Sequence, residues 1–409
     1  MATVLQAQYN GLSGNFSAST TRYLDSQAQA RGNQGTEANV ATIYRQGGVL
    51  SNLYINVITN DRGTTTFRTR KATANANIVV TVTASTTGKF EDTTNTDTVT
   101  AGEDWHFSLA VGAGGTTFTI ATVSILFAAT TNTVIKYGTP TDGTGLSTAS
   151  TTYPMGLAGI FSNTVATEAN IQLNTLTSGT LEKMGTYIIA NARGTNTLIR
   201  SRVNGANGNL LVTVTASTTG TFEDTSNSDS VTAGDDINTA LTTGTGGGAI
   251  IYNNIYVDYT TTNGQFHFID MSRGGGTISP ATTYYSPIHG SVNTGTTEVN
   301  PQSESNLAFT ASKLQCYVSA NTIVGDSTLR FRKNTSDGNQ VVTITSLTTG
   351  LFSDSSNSDT VIATDILNYS VLGGAAGTSL ILHSISMLAD STVAGGTVNR
   401  SQMCLMGVQ

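Results

Sequence analysis

A 26-residue segment occurs three times in this chain at nearly constant spacing. The copies are NIVVTVTASTTGKFEDTTNTDTVTAG (77–102), NLLVTVTASTTGTFEDTSNSDSVTAG (209–234) and NQVVTITSLTTGLFSDSSNSDTVIAT (339–364). Their central glycines recur after 132 and 130 residues, and an upstream Thr-Glu pair (36–37, 167–168 and 297–298) recurs after 131 and 130. Because two distant markers keep the same period, the repeating unit is a whole domain and not a solenoid repeat of about 20–50 residues.

The period divides the 409 residues into three units. We expect domains at residues 1–128, 129–260 and 261–409, each long enough to bury its own core. Residues 1–20 and 390–409 lie outside the repeated pattern, so we expect them to be arms that reach neighbouring molecules.

Each unit has the residue pattern of β-structure. Short segments rich in Val, Ile, Thr, Tyr and Phe are bounded by Gly, Asn, Asp and Ser, and no sustained helical period is present. The pattern predicts an all-β chain of three β-sandwiches. In the third unit the predicted strands are 313–319, 327–333, 340–346, 359–363, 366–371 and 378–388.

Within the repeated segment, residue alternation predicts which side chains are buried. Val80 and Val82 should point into the core and Thr81 to solvent, as should their counterparts in the other copies. Phe90, two residues after the glycine, is expected to plug the core. Asn204-Gly205 and Asp337-Gly338 have the composition of tight turns.

The composition limits the class of protein. Only 11% of residues are charged, against about 25% in typical soluble domains, and Thr, Ser, Asn and Gly take their place. The net charge of −7 argues against nucleic-acid binding, which requires a basic face. The first 20 residues lack the pattern of a secretory signal, and no stretch approaches the roughly 18 apolar residues of a membrane span. A virion protein released by lysis fits these features, and an extracellular protein is the alternative.

A sequence of segments in each unit resembles a known family. In the second unit these are MGTYIIANA, then LIRSRVNG, then a Val/Thr strand, an Ala-Gly-Asp turn and a closing apolar strand. Over roughly the last 80 residues of each unit, this order is similar to the C1q/TNF-like jelly roll. The tandem arrangement also resembles β-domains in structural proteins of tailed phages. The resemblance implies three jelly-roll-like domains that form trimers, or a pseudo-trimer within one chain.

Acidic and amide side chains recur in the repeated segment and form a candidate metal site. Oxygen ligands in a flexible loop are typical of Ca²⁺ sites, whereas Asp and Asn also cap turns by accepting backbone hydrogen bonds. Both interpretations stay open, and Ca²⁺ is the one cofactor considered. The residues are Asp92, Asn95, Asp97, Asp224, Asn227, Asp229, Asp354, Asn357 and Asp359.

Pairs of arginines also recur, at Arg68 and Arg70, Arg200 and Arg202, and Arg330 and Arg332. Two residues apart on a strand, the members of a pair project from one face. They are expected either to pair with the repeated acids, inside a unit or between units, or to form a subunit interface or a site for an anionic ligand such as an acidic sugar.

Signatures of catalysis are missing from the sequence. The four histidines do not repeat and lack metal-ligand spacing, and no nucleophile elbow, zinc-protease motif or phosphate loop occurs. Cys316 and Cys404 have no counterparts in the other units, and Cys316 is expected to be buried. We therefore expect a chain that is not an enzyme.

Together these features favour a structural protein of a virion, acting through assembly as a phage decoration, fibre or tail-associated component. Its expected partners are itself, as a trimer or pseudo-trimer, and other virion proteins, with no nucleic acid or membrane. A carbohydrate-binding adhesin that recognises cell-surface glycans and a self-assembling extracellular filament subunit are the alternatives.

Overall fold

The computed structural model describes residues 3–14, 16–26, 35–40, 42–129, 133–140, 145–158, 167–261, 265–290, 292 and 295–391. These described residues are all-β, with 65% of them in strands and 2% in helices, which confirms the predicted fold class at this level. Two short 3-10 helices span Glu37–Val40 and Glu168–Ile171. Among the described residues no helix combines the length and the apolar character needed to cross a bilayer.

The strands form six sheets that are grouped along the chain into three pairs. The strands of the first sheet pair are β1 (Thr3–Gly14), β2 (Thr21–Asp25), β3 (Gly48–Asn60), β4 (Thr65–Lys71), β5 (Ala74–Val82), β6 (Gly88–Asp92), β7 (Asp97–Val99), β8 (Trp105–Ala110) and β9 (Phe118–Ala129). The strands of the second are β10 (Thr133–Pro140), β11 (Thr152–Met155), β12 (Leu173–Asn174), β13 (Gly179–Arg193), β14 (Thr197–Val203), β15 (Ala206–Val214), β16 (Gly220–Val231), β17 (Asp236–Thr242) and β18 (Gly247–Thr261). The strands of the third are β19 (Gln265–Ile278), β20 (Thr283–Ser286), β21 (Ser303–Glu304), β22 (Phe309–Val324), β23 (Ser327–Lys333), β24 (Ser336–Ile344), β25 (Gly350–Val361), β26 (Ile366–Leu372) and β27 (Ala376–Asp390).

The strand order is the same in all three pairs. One sheet of each pair has the order β1-β9-β3-β6, β10-β18-β13-β16 or β19-β27-β22-β25. The other has the order β2-β8-β4-β5, β11-β17-β14-β15 or β20-β26-β23-β24. Paired neighbours are antiparallel throughout. Sheet membership changes between Ala129 and Thr133 and between Thr261 and Gln265, and the expected division into three domains stays a prediction.

Apolar residues fill the space between the two sheets of each pair. Val80 and Val82 are buried and Thr81 is exposed, and the equivalent residues behave alike, which confirms the predicted alternation. Phe90 is only half-buried and packs against the margin of the core, as do Phe222 and Phe352. The first pair has its own core cluster, whereas buried residues of the second and third pairs form one continuous cluster.

The third-unit strand predicted at 359–363 begins at Gly350, because β25 continues through the carboxylate motif. Asn204-Gly205 forms a tight turn in which both residues have positive φ, as predicted. Asp337-Gly338 instead lies inside β24, and the turn before it is formed by Asn334 and Thr335.

Residues 3–14 of the expected N-terminal arm form β1, which pairs with β9 along its length and therefore belongs to a sheet. In the expected C-terminal arm, residues 392–409, and Cys404 with them, lie outside the described residues. Cys316 is buried, and burial raises the pKa of its thiol to about 12.

Candidate functional site

The first aspartate of the repeated motif joins the two sheets of its pair. Asp92 Oδ2 accepts a hydrogen bond from the backbone N–H of Val79 at 2.9 Å. Val79 lies in β5 and Asp92 in β6, which are edge strands of different sheets. The carboxylate therefore satisfies a donor on a sheet edge that could otherwise pair with another chain. The same bond, again at 2.9 Å, joins Asp224 to Leu211 and Asp354 to Val341.

The second aspartate of the motif caps a bulge in the same edge strand. Three residues of β5 lie opposite Thr69 of β4, so the register shifts and backbone N–H groups lose their partners in the ladder. Asp97 accepts hydrogen bonds from two of these groups, on Asn77 at 2.6 Å and on Ile78 at 3.1 Å, and from the Thr69 hydroxyl at 2.5 Å. Asp229 and Asp359 accept the equivalent backbone bonds in the other copies.

The aspartate oxygens that would have to bind Ca²⁺ thus already accept hydrogen bonds from the protein. In each copy the Asn side-chain amide donates to the first aspartate at 2.9 Å, so its nitrogen faces that carboxylate. Within the part of the chain that the structure describes, no group of three or more His, Cys, Asp or Glu is arranged to hold a metal ion. The calcium site stays a prediction, and the hydrogen bonds favour the turn-capping alternative.

Chelation distinguishes these two interpretations. If the aspartates only cap turns and bulges, the melting temperature should change by less than about 1 °C in excess EDTA or in millimolar Ca²⁺, because a ligand stabilises a fold only by binding it. The measurement is a thermal melt of metal-stripped protein with and without Ca²⁺. A melting temperature that rises progressively with Ca²⁺ would instead support the metal site.

The same carboxylates predict the acid sensitivity of the fold. Burial raises the pKa of Asp92 and Asp224, but hydrogen bonds from backbone and Asn donors outweigh burial and lower both from 3.8 to about 2. The pKa of Asp354 is lowered by the same kind of contacts. A lowered folded-state pKa stabilises the fold above the unfolded value, so this stability should be lost as the pH falls from about 4 to about 2. Urea unfolding across that interval should show the loss, and Asp92→Asn should reduce the dependence on pH.

The second arginine of each pair is held by the repeated Thr-Glu marker. Arg202 binds Glu168 through two bonds, from Nε to Oε1 at 2.8 Å and from Nη2 to Oε2 at 3.0 Å. The bonds from Arg202 lower the pKa of Glu168 despite its burial. Arg70 with Glu37 and Arg332 with Glu298 form the same two-bond pair. These contacts support the first alternative, in which the arginines pair with repeated acids of their own unit.

The first arginine of each pair makes fewer contacts. Arg330 lies 3.6 Å from Asp337, measured from Nε to Oδ2. No ion pair of Arg68 or Arg200 occurs among the described residues. Their role as an interface or an anionic-ligand site stays a prediction.

The first sheet pair contacts the second through a lead segment. We use this name for the segments that begin at the Glu of each Thr-Glu pair: 37–40 with 42–47, 168–178, and 298–308. In the first lead segment Arg45 Nε donates to Glu223 Oε1 at 3.2 Å, and Tyr256 Oη donates to the same oxygen at 3.1 Å. Nearby, the buried carboxylate of Asp25 accepts hydrogen bonds from Asn253 at 3.0 Å and from Asn254 at 2.6 Å.

The second lead segment contacts the third sheet pair in the equivalent place. The backbone N–H of Leu176 donates to Nε2 of His267 at 3.0 Å, and its carbonyl accepts from Lys313 at 3.1 Å. Gln315 donates to the carbonyl of Asn174 at 2.8 Å. Burial, with a smaller contribution from Lys313, lowers the pKa of His267 to about 3. The ring is therefore neutral at physiological pH and can accept the Leu176 bond.

The third lead segment returns to the first sheet pair. Glu304 Oε2 lies 2.5 Å from Nζ of Lys89. Asn306 donates to the carbonyl of Asn52 at 3.0 Å, and the Thr122 hydroxyl donates to the carbonyl of Gln302 at 2.8 Å. We call these contacts seams. The first seam joins the first sheet pair to the second, the second seam joins the second pair to the third, and the third seam joins the third pair to the first.

The seams bury both faces of long strands in the sheets they cover. In β18 every residue from Tyr252 to Tyr259 is buried, and in β27 every residue from Leu382 to Ala389 is buried. An antiparallel sheet with one solvated face would instead alternate buried and exposed residues. Polar residues of such strands form hydrogen bonds with a neighbouring sheet pair, for example Thr122 of β9 and Asn254 of β18. Runs of uncharged polar residues between apolar ones were the only sequence signal for the seams.

No protein-family model matches the sequence, and no curated protein is significantly similar to it.

Proposed function

We propose that the chain consists of three tandem jelly-roll domains, at residues 1–128, 129–260 and 261–409, that arose from one repeated unit. The support is the strand order, which is the same in each sheet pair and places the first strand beside the last and the second beside the penultimate. Two facing sheets whose four-strand paths are connected in this way have the jelly-roll arrangement, and one short additional strand, β7, β12 or β21, joins one sheet of each pair. The recurrence of the same capping bonds in each copy, such as the 2.9 Å bond of the first aspartate, supports a common origin.

We further propose that the three domains close into a pseudo-trimer within one chain. Each seam joins a lead segment to the sheet of the next domain, so the contact is head-to-tail. A head-to-tail contact forms a ring when its rotation closes and a filament when it does not. The third seam, from Glu304 and Asn306 back to the first domain, is the observation that carries closure.

From this architecture we infer a structural protein of a virion that acts through assembly, as a decoration, fibre or tail-associated component. The seams use mostly uncharged polar groups, the repeated aspartates cap sheet edges, and the surface carries few charges. All three properties suit a rigid body that docks on a particle and does not aggregate. A fold alone does not determine function, so the proposal rests on the closed seams and on the absence of catalytic signatures in the sequence.

Electron microscopy and native mass spectrometry of the purified chain test this proposal. We expect discrete three-lobed particles with the mass of one chain, or of a small closed oligomer, at all protein concentrations. In such a particle each lead segment already contacts a neighbouring domain, so it cannot bind a further copy of the chain. Extended polymers formed by the chain alone would contradict the proposal and support the filament alternative.

A further inference from the structure

The three seams have equivalent positions but different chemistry. At the first seam, Arg45 and Glu223 form an ion pair, and at the third seam Lys89 and Glu304 do. In the second seam, the positions equivalent to Lys89 and Glu304 are held by Leu351 and Asn174. Among the described residues no ion pair therefore crosses the second seam at this place.

A cleft lies at this place in the second seam. It has a volume of about 150 Å³, which corresponds to roughly five water molecules at liquid density. The second domain contributes Gln172, Asn174 and Asp236, and the third contributes Gln315, Tyr317 and Ser384. The third seam has a cleft of about 170 Å³ that includes the corresponding residues Lys89 and Glu304, but its Lys89 is already paired with Glu91 at 2.8 Å and with Glu304 at 2.5 Å.

Hydrogen bonds within the protein fix the amide groups of the second-seam cleft. Asn174 Nδ2 donates to Asp236 Oδ1 at 2.9 Å and to the carbonyl of Gly234 at 2.8 Å. Gln315 Nε2 donates to the carbonyl of Asn174 and to the Ser386 hydroxyl at 2.9 Å. Because both amide nitrogens are engaged, the oxygens Asn174 Oδ1 and Gln315 Oε1 are fixed acceptors, for which the described residues supply no donor.

The rest of the lining supplies complementary groups. The hydroxyls of Tyr317 and Ser384 can rotate to donate or accept. Half-buried Tyr317 lies directly opposite the exposed Leu351 on the paired strands β22 and β25, so these two residues supply apolar surface to the cleft. Lys and Arg are missing from the lining, and Asp236 adds a carboxylate, so an anionic ligand would be repelled.

We propose that the second-seam cleft binds one neutral sugar residue of a glycan. Sugar hydroxyls donate to the fixed oxygens of Asn174 and Gln315 and accept from the rotatable hydroxyls. The carbon-bound face of the sugar ring packs on Tyr317 and Leu351, as in small-ligand sites that combine apolar walls with a few placed polar groups. The proposal depends on the second seam but not on a virion role. It predicts one sugar site per chain, although the chain has three seams.

Ligand-observed NMR on the intact chain tests the site. The probes are methyl glycosides of neutral hexoses and of N-acetylhexosamines, with sialic acid as the anionic comparison. We expect at least one neutral glycoside to bind with a Kd of about 1 mM and sialic acid to bind at least tenfold more weakly. Tyr317→Ala should weaken neutral binding at least tenfold.

A double variant separates the chemistry of the cleft from the integrity of the seam. Asn174→Glu with Leu351→Lys copies the ion pair of the third seam into the second and should abolish sugar binding with the melting temperature maintained. Thr93→Ala, in the third-seam cleft, is the matched control and should leave binding unchanged. Failure of all neutral glycosides to bind at about 10 mM, equal binding of sialic acid, or binding that survives both cleft variants would overturn the proposal. None of these outcomes bears on the particle shape that tests the proposed function.

Discussion

Replacing Asp97 by alanine is expected to lower the free energy of unfolding of the first domain by about 3 kcal/mol. The carboxylate is 3% exposed and accepts bonds from two bulged N–H groups of β5 and from Thr69. Alanine cannot accept them, and buried backbone donors without acceptors cost about 1–3 kcal/mol each. Urea denaturation of the intact chain, followed by tryptophan fluorescence, measures the change because Trp105 is the only tryptophan and lies in the first core.

Thr98→Ala is the matched control for this substitution. Thr98 is the next residue of β7 and is exposed, so its replacement should change stability by less than about 0.5 kcal/mol. Asp229→Ala and Asp359→Ala should reproduce the Asp97 loss in the second and third domains, since the same backbone bonds recur there. If Asp97→Ala is as mild as Thr98→Ala, the aspartate does not cap the bulge in solution.

Replacing Asp25 by alanine is expected to weaken the first seam by about 3 kcal/mol. Asp25 is fully buried and accepts hydrogen bonds from Thr42, Asn253 and Asn254, so it joins the first and second domains. Without it, two buried amide groups lose an acceptor and cannot reach water. Hydrogen exchange should then increase in β18 around Asn253 and Asn254, and the urea midpoint should fall.

Thr21→Ala serves as the control for Asp25, because Thr21 begins the same strand and is exposed. It should change neither the exchange of β18 nor the urea midpoint. Unchanged exchange of β18 in Asp25→Ala would show that the first seam does not depend on this buried network.

The sequence predicted the features that each domain repeats. Alternation correctly placed Val80 and Val82 in the core. The division into three domains, drawn from the spacing of the markers, stays a prediction. The bond between Glu168 and Arg202 could have been anticipated as well, because both markers recur in step. Their separation of 34 residues hid the contact, since a strand pattern does not say which distant side chains meet.

The seams could not be predicted by comparing the copies. Equivalent seam positions hold Arg45, Leu176 and Asn306, which share neither charge nor polarity. Each lead segment has to be complementary only to the one domain that it contacts, so selection has no reason to keep the residues of the three lead segments alike. A backbone group, as in Leu176, can even replace a side chain. The edge-capping aspartates stay alike because each copy presents the same bulge and the same edge strand to them.

Closure of the three domains within one chain is the central claim, and a zero-length cross-link tests it most directly. Carbodiimide joins an amine to a carboxylate only where the two are in contact, and Lys89 Nζ lies 2.5 Å from Glu304 Oε2 across the third seam. We predict a Lys89–Glu304 isopeptide bond within single chains, identified by mass spectrometry of the monomer band, with a yield independent of protein concentration. Absence of this bond, or its presence only between chains, would contradict closure.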